Sequence, residues 1–377
     1  MLKRSISFVI LVVFIWLIWS YSGRNLPLSE PESYISIIEE INPTDTLDRN
    51  IIGIQPYMMA SDYVNAVKFK QKIRQYLVAA TEKGFIRDKT IILYPDYIGT
   101  WLVLLGEKHA LAEKETLKEA ISTFILSNVF DFFLGYIKTG DEEDKSVSAI
   151  LRMKSKVMAS VYYNTFSELA KETRAHIVAG TIVLPGPYVS NGELFVENKK
   201  NLQNVSFVFG PDGKIVGEPI VELYPNSSEL KFISEPESKR VQTIEFPFTK
   251  SSILIDHDSW YPQLYNQANS SGSEITLVPS FQTGSNSMDS LWKGFDKEPN
   301  PSFLNKEDMN QIKVKEAWSK YSLANPSNGP SNTISLNVFL RGEFWELGTD
   351  GQTFVTFKDS ILNISQAEKA GIWSLNY

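Results

Sequence analysis

SSILIDHDSWYP, residues 251–262, is the stretch on which the reading of this chain turns. Ser251 to Asp256 has the apolar content of a buried strand, and a helix is expected from about Trp260 to Asn269. Working outward, the same alternation recurs. Toward the N-terminus, IIGIQPY (51–57), TIILYP (90–95) and HIVAGTIV (176–183) read as buried strands. Between them lie helical patterns: one that Ser61 caps, with Ala66, Phe69, Ile73, Tyr76, Leu77 and Ala80 on one face, and one marked by Met158, Val161, Tyr162, Phe166 and Leu169. NVSFVFGPDGKIVG (204–217) reads as a hairpin about Pro211-Asp212-Gly213, followed by the strand VQTIEF. Toward the C-terminus come the strand ITLVPS (275–280), a helix expected over Glu307–Leu323, and TISLNVFL with two shorter strands. Strands alternating with helices predict a layered α/β domain.

The chain has 377 residues, 43% hydrophobic and 12% aromatic, enough to bury a large core. Its net charge is -7, and no Lys/Arg run is longer than a pair such as Lys199-Lys200, which excludes the electrostatic footprint of a nucleic-acid partner. There is no cysteine, so disulfides, thiolate metal sites and thiol chemistry are excluded together.

The N-terminus stands apart. After Lys3 and Arg4, residues Ile6–Tyr21 form an apolar run with Trp16, Trp19 and Tyr21 toward its far end, where an aromatic belt would sit. Residues 1–22 read as a signal anchor; a cleaved signal peptide and a buried core helix are the alternatives. No Ala-x-Ala site follows the run, where WSYSG stands. A lipoprotein anchor needs a cysteine. The basic flank would hold the N-terminus inside and put the domain on the outer, periplasmic or extracellular, side. Residues 23–50, with Pro27, Pro31 and Pro43, read as a linker in which YISIIEEI forms a helical turn or two. The domain is expected over 51–360, with 361–377 as a tail. An insertion at about 102–152 carries the apolar FILSNVFDFFLGYI and the acidic GDEEDK; it reads first as packing, with a lid or a membrane-touching element as alternatives.

IIGIQPY, IILYPDYIGTW, HIVAGTIV, NVSFVFGPDGKIVG, ILIDHDSWYP, ITLVPSF and the later NVFLRGEFWELGTDG follow the order and approximate spacing of the signature strands of the carbon-nitrogen hydrolase (nitrilase-like) superfamily, which the chain resembles from Ile51 to Phe357. The resemblance implies a four-layer α-β-β-α sandwich, preceded here by a transmembrane helix, and a homodimer paired through helical faces. It also implies three catalytic positions: a glutamate base, a lysine for the oxyanion and a cysteine nucleophile. By motif, these fall on Asp96, Ile220 and Asp256, so all three are substituted. No cofactor is implied.

A carboxylate is a poor substitute for the thiolate, because the tetrahedral adduct would expel the carboxylate rather than the amine. Asp96 and Asp256 would share one pocket, where like charges raise at least one pKa and the pair can share a proton, hold a cation or simply be solvated. Asp258, Ser259, Trp260 and Pro262 persist around the lost cysteine, and Glu229 stands near the place of a second supporting glutamate. His257 is expected on the opposite strand face; a metal site on Asp256 and Asp258 is a weak alternative. Two function classes remain: a membrane-anchored, non-catalytic binding or scaffolding protein that pairs with itself or an active relative and can take a small-molecule ligand, and a hydrolase with a relocated nucleophile such as Ser251, Ser252 or Ser259.

Overall fold

The computed structural model describes residues 2–27, 29–43, 47–295, 301–323, 334–357 and 360–377. Two sheets dominate. The first holds β1 (Ile35–Ile41), β2 (Asn50–Gln55), β3 (Thr90–Leu93), β4 (His176–Pro185), β5 (Leu202–Phe209), β6 (Ile220–Val221) and, last in the chain, β13 (Ala370–Asn376). Its seven strands lie in the order β1-β13-β2-β3-β4-β5-β6. The second holds β7 (Thr243–Phe246), β8 (Thr249–Ile253), β9 (Ile275–Ser280), β10 (Ile334–Phe339), β11 (Phe354–Phe357) and β12 (Ser360–Ile361), six strands in that order. β2, β3 and β4 run parallel, as do β8, β9 and β10.

Strand alternation divides the core into layers. Ile51, Ile91, Leu93 and Val178 meet Ile253, Leu277 and Leu336 between the sheets. Their neighbours Ile52, Ile54, Ile92 and Ile177 face outward instead, onto helices α2 (Ala66–Glu82) and α5 (Lys145–Thr173). Gly53 allows the close approach, since a Cβ there would stand 2.8 Å from both Leu336 Cδ2 and Val338 Cγ1. On the far side, α6 (Pro262–Ser270) and the helical segment 314–323 cover the second sheet through Leu264, Tyr265, Trp318 and Tyr321.

Several local expectations are corrected. Residues 23–50 are not a linker: YISIIEEI supplies β1, parallel to β13. Residues 361–377 are not a tail, because β13 sits between β1 and β2 with every residue from Ala370 to Asn376 buried. Both strands gain their partners only from distant sequence, so local pattern understates them. The expected helix over 307–323 is broken into a 3-10 turn (306–308), α7 (Val314–Ala317) and a π turn (318–323). The break arises because Trp292 pairs with Asn310 and Ile312 through their backbones and pulls that stretch straight. Asn65, not Ser61, caps α2, accepting from the Val67 and Lys68 N–H groups.

At the N-terminus, α1 (Leu2–Tyr21) is an exposed helix whose Arg4–Tyr21 window has mean hydropathy 1.9, long and apolar enough to cross a membrane. The insertion forms α3 (Leu117–Ser127) and α4 (Val129–Tyr136) before running into α5. Part of it is packing, since Ala120 and Phe124 close a small core with Leu111 and Ile150.

Candidate functional site

The site lies at the C-terminal ends of β3 and β8 and beside the middle of β4, where parallel pairing of β3 with β4 stops. β4 carries a bulge between Val178 and Thr181. At its centre Gly180 has φ +67°, and a Cβ there would stand 2.0 Å from the Pro95 carbonyl oxygen. The bulge turns Thr181 toward the 95–99 turn: the Tyr97 N–H donates to Thr181 Oγ1 at 2.8 Å, and the Gly99 N–H to the Thr181 carbonyl at 2.8 Å. Asp96 is thereby held inward, accepting from the Thr181 hydroxyl and from Asn204 Nδ2 at 2.9 Å. Gly180→Ala is expected to cost about 3 kcal/mol, from positive φ plus a backbone clash. A denaturant midpoint unchanged from wild type would contradict this account of the turn.

Asp256 follows β8 at the start of a tight turn (Asp256–Trp260) and adopts φ +43°, a conformation costly for a residue with a Cβ. Its carboxylate faces His257 Nδ1 at 2.5 Å and the Phe281 N–H at 3.3 Å. His257 is corrected from the sequence expectation: it sits on the turn rather than the strand, so alternation does not apply, and it pairs with Asp256 instead of facing away. Asp258 is held by backbone donors, from Leu223 at 2.9 Å and Tyr224 at 2.7 Å, and so ties the β6 end to the turn. Ser259 Oγ donates to the Asp256 carbonyl at 2.7 Å and accepts from Ser322 at 2.8 Å.

The carboxylates are not solvated. Asp96, Asp256 and Asp258 are at most 2% exposed, and Glu229 is 6% exposed. Glu222, which sequence reasoning missed, joins them: Asn204 Nδ2 reaches it at 3.1 Å while also reaching Asp96. The signal was available in IVELYP, since residues two apart in an extended segment share a face. Ile220 instead lies in the apolar layer between the sheets.

Burial dominates the electrostatics here. It pushes Asp96 well above the usual carboxylate range, with the charges of Asp256 and Glu229 adding to the effect against the Thr181 and Asn204 hydrogen bonds. Burial, then Glu229 and Asp96, does the same to Glu222. Glu229 is pushed up to about 7 by burial and then by Asp256, with His257 and the Tyr97 hydroxyl pulling the other way. Asp258 also rises to about 7 through burial, despite its backbone donors. The cluster therefore holds protons at neutral pH.

Above His257 opens a cleft of about 250 Å³ lined by Tyr224, Asn226, His257, Trp260, Tyr261 and Trp292, among others. Trp260 is largely buried within an aromatic group, 4.9 Å from Trp318 and 5.8 Å from Trp292 between ring centroids. The acids lie beneath this cleft rather than on its wall, with Phe281 stacked on Tyr97 at 5.4 Å beside them. Asp256 and Asp258 turn to separate partners, and among the described residues no group of three or more His, Asp or Glu is arranged to hold a metal ion. Ser251, Ser252 and Ser259 are all fully buried, so none presents a hydroxyl to the cleft.

No family model matches the sequence, and no curated protein matches it either. Solved structures do match by fold, among them amidases of the nitrilase superfamily. A cysteine-to-serine mutant of the Nesterenkonia AN1 amidase from the nitrilase superfamily superposes with TM-score 0.51 at 12% identity, covering 88% of this chain and 92% of that one. A double mutant of the amidase from Nesterenkonia sp. AN1 in complex with acrylamide gives TM-score 0.52 at 12% identity, covering 89% and 93%. A third, showing covalent addition of the acetamide moiety of fluoroacetamide at the active site cysteine, gives TM-score 0.52 at 12% identity, covering 89% and 92%. The chain thus has a mixed α/β fold shared with nitrilase-superfamily amidases.

Proposed function

We propose that this chain is a catalytically degenerate carbon-nitrogen hydrolase domain, anchored in a membrane by α1, that serves in binding or scaffolding on the outer side of that membrane. The observation that carries this reading is Asp256: a residue with strained positive φ at the strand-end turn, buried and bound to His257, in a chain without a single cysteine. Strain of this kind persists where surrounding structure enforces it and often marks a reacting position. A related fold places an active site cysteine in covalent contact with an amide-derived group, as the Nesterenkonia amidase does. Asp256 offers no equivalent chemistry, and Ile220, at the position matching the family lysine, brings no charge to an oxyanion.

The retained cleft beside His257 and Trp260 suits a small-molecule ligand, and the partner would be a second copy or an active relative. No observation favours the hydrolase with a relocated nucleophile, since each candidate serine is sealed from the cleft. The full chain in detergent should turn over no member of an amide, nitrile and ester panel above the buffer rate. Turnover that Asp96→Ala or Ser259→Ala abolishes would overturn the reading.

A further inference from the structure

The insertion presents an apolar face outward. Phe130, Phe133, Leu134 and Ile137, at the i, i+3, i+4, i+7 spacing of one helix stripe, are 69%, 61%, 52% and 60% exposed, and Leu126 beside them is 57% exposed. The opposite face of α4 is fixed against the domain through Gly135, where a Cβ would stand 2.5 Å from the Ala149 carbonyl oxygen. The stripe is thus held away from the core by tight packing. A soluble surface seldom shows so continuous a patch without an occupant.

What the patch adjoins identifies the occupant. The last turns of α1 dock on the same helices: Trp16 Nε1 donates to the Leu126 carbonyl at 2.9 Å, Ser20 Oγ to the Ser127 carbonyl at 2.5 Å, and the Trp16 and Phe130 rings meet edge-on with centroids 5.6 Å apart. Trp16 lies roughly 7–8 Å of helix rise before the end of α1. Any bilayer that α1 crosses therefore reaches Leu126 and Phe130 in its outer leaflet. Polar anchors stand just beyond. Arg24 pairs with Glu107 at 3.3 Å, Lys154 with Glu107 at 2.6 Å, and the Lys108 ammonium sits 4.1 Å from the Trp19 ring centroid. That sequence of apolar stripe, tryptophan and cations is the order found along the normal of a membrane interface.

We propose that the exposed face of α4 is a second membrane contact, seated among the acyl chains just below the headgroups of the bilayer that α1 enters. The domain is then held at two points in a fixed orientation rather than tethered by a flexible leash. This inference rests on reading α1 as the anchor, and the experiment separates the two.

Because the chain has no cysteine, single labels can be placed without removing any native thiol. Full-length Ile10→Cys, Phe133→Cys and Glu218→Cys chains, each carrying an environment-sensitive NBD label, are reconstituted in phosphatidylcholine vesicles at low protein density. The expected result is a blue-shifted Phe133→Cys label that loses fluorescence to acyl-chain nitroxide lipids, as the Ile10→Cys label does, while the Glu218→Cys label responds only to aqueous iodide. Quenching at Ile10 with an iodide-accessible label at 133 would overturn the α4 contact and leave the anchor standing. A label at 133 shielded from both quenchers would overturn it in favour of a second copy of the chain. An Ile10 label open to iodide would remove the anchor, and with it this inference.

Discussion

Raising the pH from 5 to 8.5 is expected to lower the melting temperature of the detergent-solubilised chain by roughly 5–15 °C. A carboxyl whose native pKa is raised keeps its proton in the folded state where the unfolded chain has already released it. The native state then binds more protons than the unfolded state, so stability falls as pH rises. The fall begins near the unfolded carboxylate value of about 4. It runs through about 7 for Glu229 and Asp258, and continues higher for Asp96 and Glu222, whose values are raised further. Glu229 alone, moved from 4.5 to about 7, contributes on the order of 3 kcal/mol to the change. Glu222→Gln keeps the acceptor for Asn204 while removing one titrating group, so it should raise the melting temperature at pH 8.5 and change little at pH 5. A melting temperature flat or rising across this range would show that the acids are ionised and compensated in the native state.

Ile220→Lys is expected to destabilise the chain by about 2–4 kcal/mol, rather than to restore a catalytic lysine. Ile220 is 3% exposed and packs in the layer between the sheets with Ile244 and Ile253, where an ammonium would lose most of its hydration. Glu222→Lys makes the informative contrast. It places a cation beside Asp96 and Glu229, which favours their charged forms, and should raise stability at pH 8.5. Chemical denaturation of the two variants at that pH distinguishes them. Equal behaviour, or a stabilising Ile220→Lys, would place residue 220 in the acid cluster and reverse the assignment of the two positions.

The strand sequence from IIGIQPY to TISLNVFL was legible because each strand is a short apolar run bounded by turn residues, a pattern that survives without knowledge of partners. The same is true of α1, whose apolar length is a local property, and of the missing cysteine, which is a matter of composition. Together they determined the α/β class, the candidate span and the absence of thiol chemistry.

Tertiary structure alone decided the rest. YISIIEEI and AGIWSLN become strands because each completes the hydrogen bonding of the other, and AGIWSLN that of β2 as well, over more than 300 residues of separation. Spacing in IVELYP puts Glu222 on the face of Ile220, but its meeting with Asp96 comes only through the pairing of β5 with β6. His257 faces Asp256 because the chain leaves strand geometry at φ +43°, a change of backbone region that alternation cannot anticipate. The protonation of the cluster follows from burial, a property of the surrounding fold. The outward stripe on α4 shows the limit most directly: its spacing predicts an amphipathic helix, but whether that face meets a core, a partner or a bilayer depends on the side to which Gly135 fastens the helix.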